Sequence, residues 1–209
     1  EVLYCERVKA QDLSPLRGMS LQSMYLSNTP VSDLSPLKGM PLRELRANTT
    51  RIEDLSPLRG MPLEVLAVNR TNVSDVRPLE GMPLRDLGLR NTRVEDLSPL
   101  RGMPLESLNL GFTNVSDLRP LKGMPLTYLK LDATNVSNIA PLQGMPLEVL
   151  SCLGNGVRDI APLQGMPLIN LDLYGTKVVD ISPLENMEIT QLKWGKTRVR
   201  DITPLRGMP

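Results

Sequence analysis

Histidine is absent from this chain of 209 residues, which also has only two cysteines, one tryptophan and one phenylalanine. Without histidine, the chain lacks the commonest general base and the commonest metal ligand. It contains no phosphate-binding glycine loop, no G-x-G-x-x-G fingerprint and no CxxC pair. We therefore expect no catalytic residues, no metal site and no cofactor in this chain.

The chain also lacks an excess of either charge and lacks long apolar runs. Its 24 basic and 23 acidic residues give a formal net charge of +1. Balanced charge argues against bulk attraction to nucleic acid. A membrane-spanning helix needs a run of about 18 or more apolar residues, and no such run occurs. We expect neither a nucleic acid partner nor a membrane span.

What the chain does have is a strict repeat. A Pro-Leu pair recurs every 21 residues, without insertion or deletion, at Pro15, Pro36, Pro57, Pro78, Pro99, Pro120, Pro141, Pro162, Pro183 and Pro204. A period of this size predicts a solenoid of stacked coils. We expect one domain over residues 1–209 with about ten repeats. Because the sequence begins inside a repeat and ends at a repeat edge, we expect it to be part of a longer chain.

Residues 105–125 show one complete unit, whose positions we number 1 to 21 from Leu105. It begins Leu-x-x-Leu-x-Leu, and the alternation in its second half predicts a strand. Val115, Leu118, Leu121 and Met124 then follow at intervals of three, which predicts a tight 3₁₀ or extended return path. A strand of about six residues and two turns would leave room for no more than about one helical turn.

The motif L-x-x-L-x-L-x-x-T-x-V-x-D-L-S-P-L-x-G-M-P resembles the short bacterial leucine-rich repeats of the internalin-like class, and it covers the whole chain. Its Gly-Met-Pro ending is most similar to repeats of planctomycete and verrucomicrobial proteins, which often lie beside protein-kinase domains. The resemblance implies an α/β-type, mostly β, right-handed solenoid with a concave parallel sheet and short 3₁₀ or extended convex segments. It also allows for a fused effector domain in the full-length protein.

Position 9 departs from the family pattern. The resemblance implies asparagines that link neighbouring coils in a ladder, but eight repeats here carry threonine and only Asn155 keeps the amide. We expect the threonine hydroxyl to donate and accept in the same place with less reach. The threonines are Thr29, Thr50, Thr71, Thr92, Thr113, Thr134, Thr176 and Thr197.

An aspartate occupies position 13 in nine repeats, with Asn138 in the tenth. A line of carboxylates invites a metal interpretation, but the glycine-rich nonapeptide of calcium-binding β-rolls is missing. We interpret these residues as caps of a short helical turn, with proline at the first helical position. Position 19 is glycine except at Asn186, which predicts a left-handed backbone there.

Cys5 and Cys152 both fall at position 6, seven coils apart. At strand spacing they would be separated by about 33 Å, whereas a disulfide needs Cα atoms within about 7 Å. We expect both to be free and buried. Free buried cysteines are compatible with a cytoplasmic location, and the compartment stays unassigned. Trp194, also at position 6, is expected to close the C-terminal end in part.

Positions 2, 3, 5, 7 and 8 vary most among the repeats, and they point away from the core. All four tyrosines and the phenylalanine fall at these positions. Because aromatic residues are enriched at interaction hot spots, we predict a protein or peptide ligand on the concave sheet, centred on Phe112, Tyr128, Leu153 and Tyr174. The alternative is that these are isolated surface aromatics.

Charge is sorted along the same surface, with an arginine-rich part and an acidic, aromatic part around Lys130. Arg46, Arg70 and Arg90 would give secondary electrostatic selection. The alternative is a solvated mosaic of cross-strand ion pairs, each worth little. The full set of predicted partner-binding residues is Tyr25, Arg46, Arg70, Arg90, Phe112, Tyr128, Lys130, Asp132, Leu153, Asp172 and Tyr174.

Two other functions stay open at this point. Similar coils stacked end to end would suit a structural spacer or a self-assembly module. Carbohydrate binding or cell-surface adhesion would suit Tyr25 and the asparagine-rich outward positions.

Overall fold

The computed structural model describes all residues, 1–209, and shows a solenoid of ten coils. Each coil contributes one strand to a single ten-stranded parallel sheet in which strand order follows chain order. Neighbouring strands pair at a constant offset of 21 residues, as in Ser23 with Glu44. The strands are β1 Val2–Tyr4, β2 Ser23–Tyr25, β3 Glu44–Arg46, β4 Val65–Ala67, β5 Asp86–Gly88, β6 Ser107–Asn109, β7 Tyr128–Lys130, β8 Val149–Ser151, β9 Asn170–Asp172 and β10 Gln191–Lys193.

The strands have three residues each, shorter than the six that the apolar pattern predicted. The residue at position 8 has a positive φ in every coil, for example 61° at Phe112 and 57° at Lys196. This conformation turns the chain out of the sheet two residues after position 6. Backbone hydrogen bonds between coils continue on both sides of the strand, as from the Leu26 N–H to the Arg46 carbonyl at 2.7 Å.

Each return path contains one 3₁₀ turn of three residues, as the spacing predicted. Serine, arginine, alanine or threonine is its first residue and proline its second, so the expectation of proline at the first position is wrong by one residue. The turns are Ser14–Leu16, Ser35–Leu37, Ser56–Leu58, Arg77–Leu79, Ser98–Leu100, Arg119–Leu121, Ala140–Leu142, Ala161–Leu163, Ser182–Leu184 and Thr203–Leu205.

The capping interpretation of position 13 is confirmed. In every coil, one side-chain oxygen of Asp or Asn accepts a hydrogen bond of 2.7–2.9 Å from the N–H of the first 3₁₀ residue. The bond from the Ser14 N–H, followed by one from its hydroxyl, lowers the pKa of Asp12. Position 19 is confirmed as left-handed, with φ of 75° at Gly123 and 61° at Asn186.

The core is one continuous cluster of 58 buried residues that runs the length of the solenoid. It is filled by the leucines of positions 1, 4 and 6 and by the apolar residues of the return path. Because each coil covers its neighbours, Leu108, Leu110 and Leu129 are completely shielded from solvent. None of the helical segments is long or apolar enough to cross a membrane.

Two expectations about single positions are corrected. The threonine hydroxyls of position 9 donate within their own coil, to the carbonyl of position 6, at 2.7–2.8 Å. They therefore form no ladder between coils. Cys152 is buried, but Cys5 is only half-buried because its coil packs against a neighbour on one side alone. Trp194 is likewise half-buried in the last coil, so it closes that end only in part, as expected.

Candidate functional site

The aromatic side chains lie on the sheet face that points away from the core, which we call the outward face (positions 2, 3, 5, 7 and 8 of each coil). Tyr4 is 72% exposed, Phe112 45% and Tyr174 39%. Tyr25 and Tyr128 are half-buried. None of the five belongs to the core cluster, so their assignment to the outward face is confirmed.

The structure separates the four residues that were predicted to form the centre of the site. Tyr128 is at position 3, whereas Leu153 and Tyr174 are at position 7 and Phe112 at position 8. Four residues of extended chain correspond to about 13 Å. Tyr128 therefore lies at the N-terminal ends of the strands, while Phe112, Leu153 and Tyr174 lie just beyond their C-terminal ends.

Arg90, Phe112 and Asp132 form one assembly beyond the C-terminal ends of the strands. The Arg90 guanidinium carbon lies 4.3 Å from the centre of the Phe112 ring, a cation–π distance. Its Nη1 lies 3.7 Å from the Asp132 Oδ2, and the Ser151 hydroxyl donates to the Asp132 Oδ1. Arg90 and Asp132 are two coils apart, and they meet because Gly111 between them has no side chain.

This assembly changes the predicted charge map. Arg90 was expected in an arginine-rich part and Asp132 in a separate acidic part, but the two neutralise each other. The sequence does carry a signal for this contact, since Arg90, Gly111 and Asp132 all occupy position 7 of successive coils. An arginine can reach over a glycine to the second coil beyond it.

Lysines accompany the two exposed or half-exposed tyrosines of the later coils. The Lys130 Nζ lies 5.4 Å from the centre of the Tyr128 ring, and the Lys196 Nζ lies 5.5 Å from that of Tyr174. Asp172, a predicted contact residue, is buried. Its carboxylate accepts from the Tyr174 N–H at 2.9 Å and lies 3.8 Å from Lys193. Asp172 therefore positions Tyr174 instead of facing solvent.

Tyr25 and Arg46 belong to a second cluster in the first three coils. The Tyr25 ring stacks on Tyr4 with centroids 4.7 Å apart. Its hydroxyl donates to Glu44 at 2.8 Å, and Arg46 donates to the same carboxylate at 2.6 Å. The hydrogen bond to Glu44 raises the pKa of Tyr25.

Arg70 differs from the other predicted arginines because its guanidinium makes no ion pair. It lines a polar cleft of about 290 Å³ together with Arg93, Asn72 and Asn91. At position 2, in contrast, Arg43 pairs with Glu64 and Arg85 with Glu106 across neighbouring coils. The outward face thus contains both the cross-strand ion pairs of the mosaic interpretation and an unpaired arginine.

A ladder between coils, which sequence analysis placed at position 9, occurs at position 7. The Asn48 Oδ1 accepts from the Asn69 N–H at 3.0 Å, and the Asn69 Oδ1 accepts from the Arg90 N–H at 2.7 Å. In the same way the Ser27 hydroxyl accepts from the Asn48 N–H. The signal for it is the polar run Ser27, Asn48, Asn69 at one repeat position, which was assigned to a ligand surface without a structural role.

The chain matches no protein-family model and no curated protein sequence. Among solved structures it is similar to an internalin of Listeria monocytogenes, with a TM-score of 0.91 and 28% identity over 98% of this chain and 63% of that one. It is also similar to the functional domain of InlJ from L. monocytogenes (TM-score 0.52, 16% identity, 96% and 55% covered). A third similar structure is a leucine-rich-repeat protein of Leptospira interrogans, with a TM-score of 0.54 and 20% identity over 86% of this chain and 56% of that one. The last two likenesses show the fold alone.

The continuous parallel sheet, the 3₁₀ return path and these likenesses define a mostly β leucine-rich-repeat solenoid. The chain is similar to bacterial leucine-rich-repeat proteins of the internalin type. It spans less than two thirds of the length of that Listeria internalin, 63%. The similarity of the Gly-Met-Pro ending to planctomycete and verrucomicrobial repeats, and the link to kinase-bearing proteins, stay predictions.

Proposed function

We propose that this domain is a recognition module that binds a protein or peptide partner on the concave, outward face of its sheet. The observation that carries the proposal is the placement of all five tyrosine and phenylalanine side chains outside the core, with Phe112 and Tyr174 exposed beside cations. Aromatic residues and arginine are the side chains most enriched at hot spots of protein interfaces.

The fixed geometry of this surface supports the proposal. Arg90 is held by Phe112, by Asp132 and by the van der Waals surface of Gly111. Tyr174 is held through its N–H by Asp172 and packs over Gly195. Side chains that are already ordered lose little conformational entropy when a partner binds, and this favours affinity.

The surface also favours binding over catalysis. Several of its charged groups are paired, as Arg90 with Asp132, and others are exposed, as Arg70. The thiol of Cys152 is buried, and desolvation raises its pKa to about 12, so it is a poor nucleophile. We propose a non-enzymatic role for this domain, and we propose that any effector activity lies in a domain fused to it.

The test compares the wild-type domain with the triple variant Phe112→Ala, Tyr128→Ala, Tyr174→Ala as baits for a lysate and envelope fraction of the source bacterium. Circular dichroism checks that the variant keeps its fold. The matched control is Arg77→Ala with Arg119→Ala, two exposed side chains on the return path that contact only Asp75 and Asp117.

A captured protein is then purified and its affinity for each form is measured by calorimetry. We expect the triple variant to lose at least about tenfold in affinity, or about 1.4 kcal/mol, and the control to bind like wild type. Equal binding by the triple variant would move the site away from the outward face. Capture that is abolished by free glycans would support carbohydrate adhesion, and no capture would support the spacer function.

A further inference from the structure

In two coils, the side chain at position 8 covers position 7 of the preceding coil. Phe112, at position 8 of its coil, lies over Arg90, at position 7 of the coil before. Lys196 lies in the same way over Tyr174. A side chain built on Gly175 would also point to the preceding coil, since its Cβ would lie 3.6 Å from the Cα of Gly154.

Three successive coils lack this cover. Position 8 is Ala133, Gly154 and Gly175 in the coils between Phe112 and Lys196, and we call this stretch the position-8 gap. A Cβ built on Gly154 would have nothing within 4 Å. Leu153 is at position 7 of the coil before that of Gly175, so the missing side chain of Gly175 leaves Leu153, which is half-buried, open to contact from outside the chain. From Phe112 to Lys196 there are four coil steps, or about 19 Å, the length of about six extended residues.

Two backbone donors also lack an acceptor at the gap. In coils 3 to 9 the N–H of position 7 is bound by a side-chain oxygen on the outward face, as in Asn69, Arg90 and Tyr174, with two exceptions. The exceptions are Asp132 and Leu153, whose N–H groups donate to no atom of the chain. Since side-chain oxygens reach the other donors from the outward face, a carbonyl oxygen of a ligand can reach these two.

The two ends of the gap differ in charge. At the Phe112 end, Arg90 is already paired with Asp132. At the other end, Lys196 lies 5.5 Å from the Tyr174 ring and pairs with no carboxylate. An acidic side chain is the complement of Lys196, and an aliphatic side chain is the complement of Leu153.

We infer that the position-8 gap binds an extended, acidic peptide segment of a protein partner that runs along the coil axis. Its carbonyl oxygens accept from the Asp132 and Leu153 N–H groups, an aliphatic side chain rests on Leu153, and a carboxylate lies at Lys196. This inference rests on the proposed function, because it places the ligand within the outward face and defines its chemistry.

The test uses a displayed library of random linear ten-residue peptides, selected against the wild-type domain. The blocking variant is Gly154→Arg, and the fold tolerates it because Arg70 holds the same position with a φ of 57°. The matched control is Thr49→Arg, which adds the same side chain at position 8 outside the gap, where φ is also 57°. Gly175→Lys, which introduces the side chain that Lys196 has at the same position, is a second blocking variant.

We expect the enriched peptides to share an aliphatic residue and an acidic one about three residues apart, the separation of Leu153 from Lys196 over two coil steps. Gly154→Arg and Gly175→Lys should each weaken them by at least about tenfold, and Thr49→Arg should leave the affinity within about twofold. Lys196→Glu should exchange the preference for acidic peptides for one for basic peptides.

Other outcomes overturn the inference in distinguishable ways. Peptides that bind the blocking variants as well as wild type, but lose affinity with Tyr128→Ala, would refute the gap and leave the recognition function in place. A library that yields no binder, together with a captured protein partner, would do the same. Peptides that are insensitive to every outward-face variant would contradict both proposals.

Discussion

The contact between Arg90 and Asp132 gives the sharpest test of how this surface is built. The two residues are separated by two coils, and they touch only because Gly111 leaves room for the arginine side chain. Their side chains are 33% and 13% exposed, so the pair is partly shielded from water and salt. Exposed ion pairs contribute about 0.2–1 kcal/mol, and we expect this pair to reach the upper end, about 1 kcal/mol.

The measurement is a double-mutant cycle with Arg90→Ala and Asp132→Ala, read from the urea dependence of the free energy of unfolding. Unfolding is followed by circular dichroism and by Trp194 fluorescence, and the two transitions must coincide. The control cycle combines Asp132→Ala with Arg70→Ala, because Arg70 lies three coils from Asp132 and makes no ion pair, and its coupling energy should be near zero.

The result that would refute this reasoning is a coupling energy for Arg90 and Asp132 no larger than that of the control pair. A further variant, Gly111→Ala, tests the geometric cause. Its Cβ would lie 3.2 Å from the Arg90 Nη1 and 3.4 Å from the Asp132 Cβ. If glycine is the reason for the contact, the coupling energy should fall when it is measured in the Gly111→Ala background.

Three further predictions concern stability and reactivity. Asn155→Thr should raise the free energy of unfolding by about 1 kcal/mol in urea denaturation. It removes a buried Nδ2 without a partner and introduces a hydroxyl at the position where, in the preceding coil, Thr134 donates to the Leu131 carbonyl. An unchanged or lower free energy of unfolding would contradict this. Hydrogen bonds from Ser98 lower the pKa of Asp96 below 3.8 in the folded state, so the unfolded state binds a proton first and the stability from the ionised Asp96 is lost as pH falls below 3.8. Asp96→Asn keeps the cap, as Asn138 does at 2.9 Å, and should weaken the pH dependence of the free energy of unfolding in urea on the two sides of 3.8. An unchanged pH dependence would refute this. With a thiol reagent at pH 8, half-buried Cys5 should react well before Cys152, whose thiol is buried and has a pKa of about 12; equal rates, compared in Cys5→Ser and Cys152→Ser variants, would contradict the burial.

Most of the fold was readable from the sequence because each coil repeats one local solution. The constant period predicted the register, the aspartates of position 13 predicted the caps, and Asn186 in a glycine column predicted a left-handed residue. Each of these depends on neighbours within a few residues along the chain. Strand length was overestimated because apolar alternation continues to position 6, whereas the regular strand ends at position 5 and the chain turns at position 8.

The binding surface was only partly readable, because its contacts join residues of different coils. The outward position of the aromatics followed from the repeat pattern, but the grouping of Tyr128 with Phe112 and the contact role of Asp172 did not hold. Those assignments used coil number alone and ignored the position within the coil. Two residues on neighbouring coils meet only when their positions match to within a residue or two.

By itself, the sequence determined a leucine-rich-repeat solenoid, its ten coils, its buried rows and the residue types that face outward. Those features follow from periodicity, since a strict repeat forces equal positions into equal environments. The tertiary structure decided which outward side chains are free and which are engaged: Asp172 under Tyr174, Arg90 across Gly111, and Leu153 in the position-8 gap. The physical reason is that a side chain's freedom depends on the size and reach of its neighbours on other coils, which only their placement in three dimensions brings together.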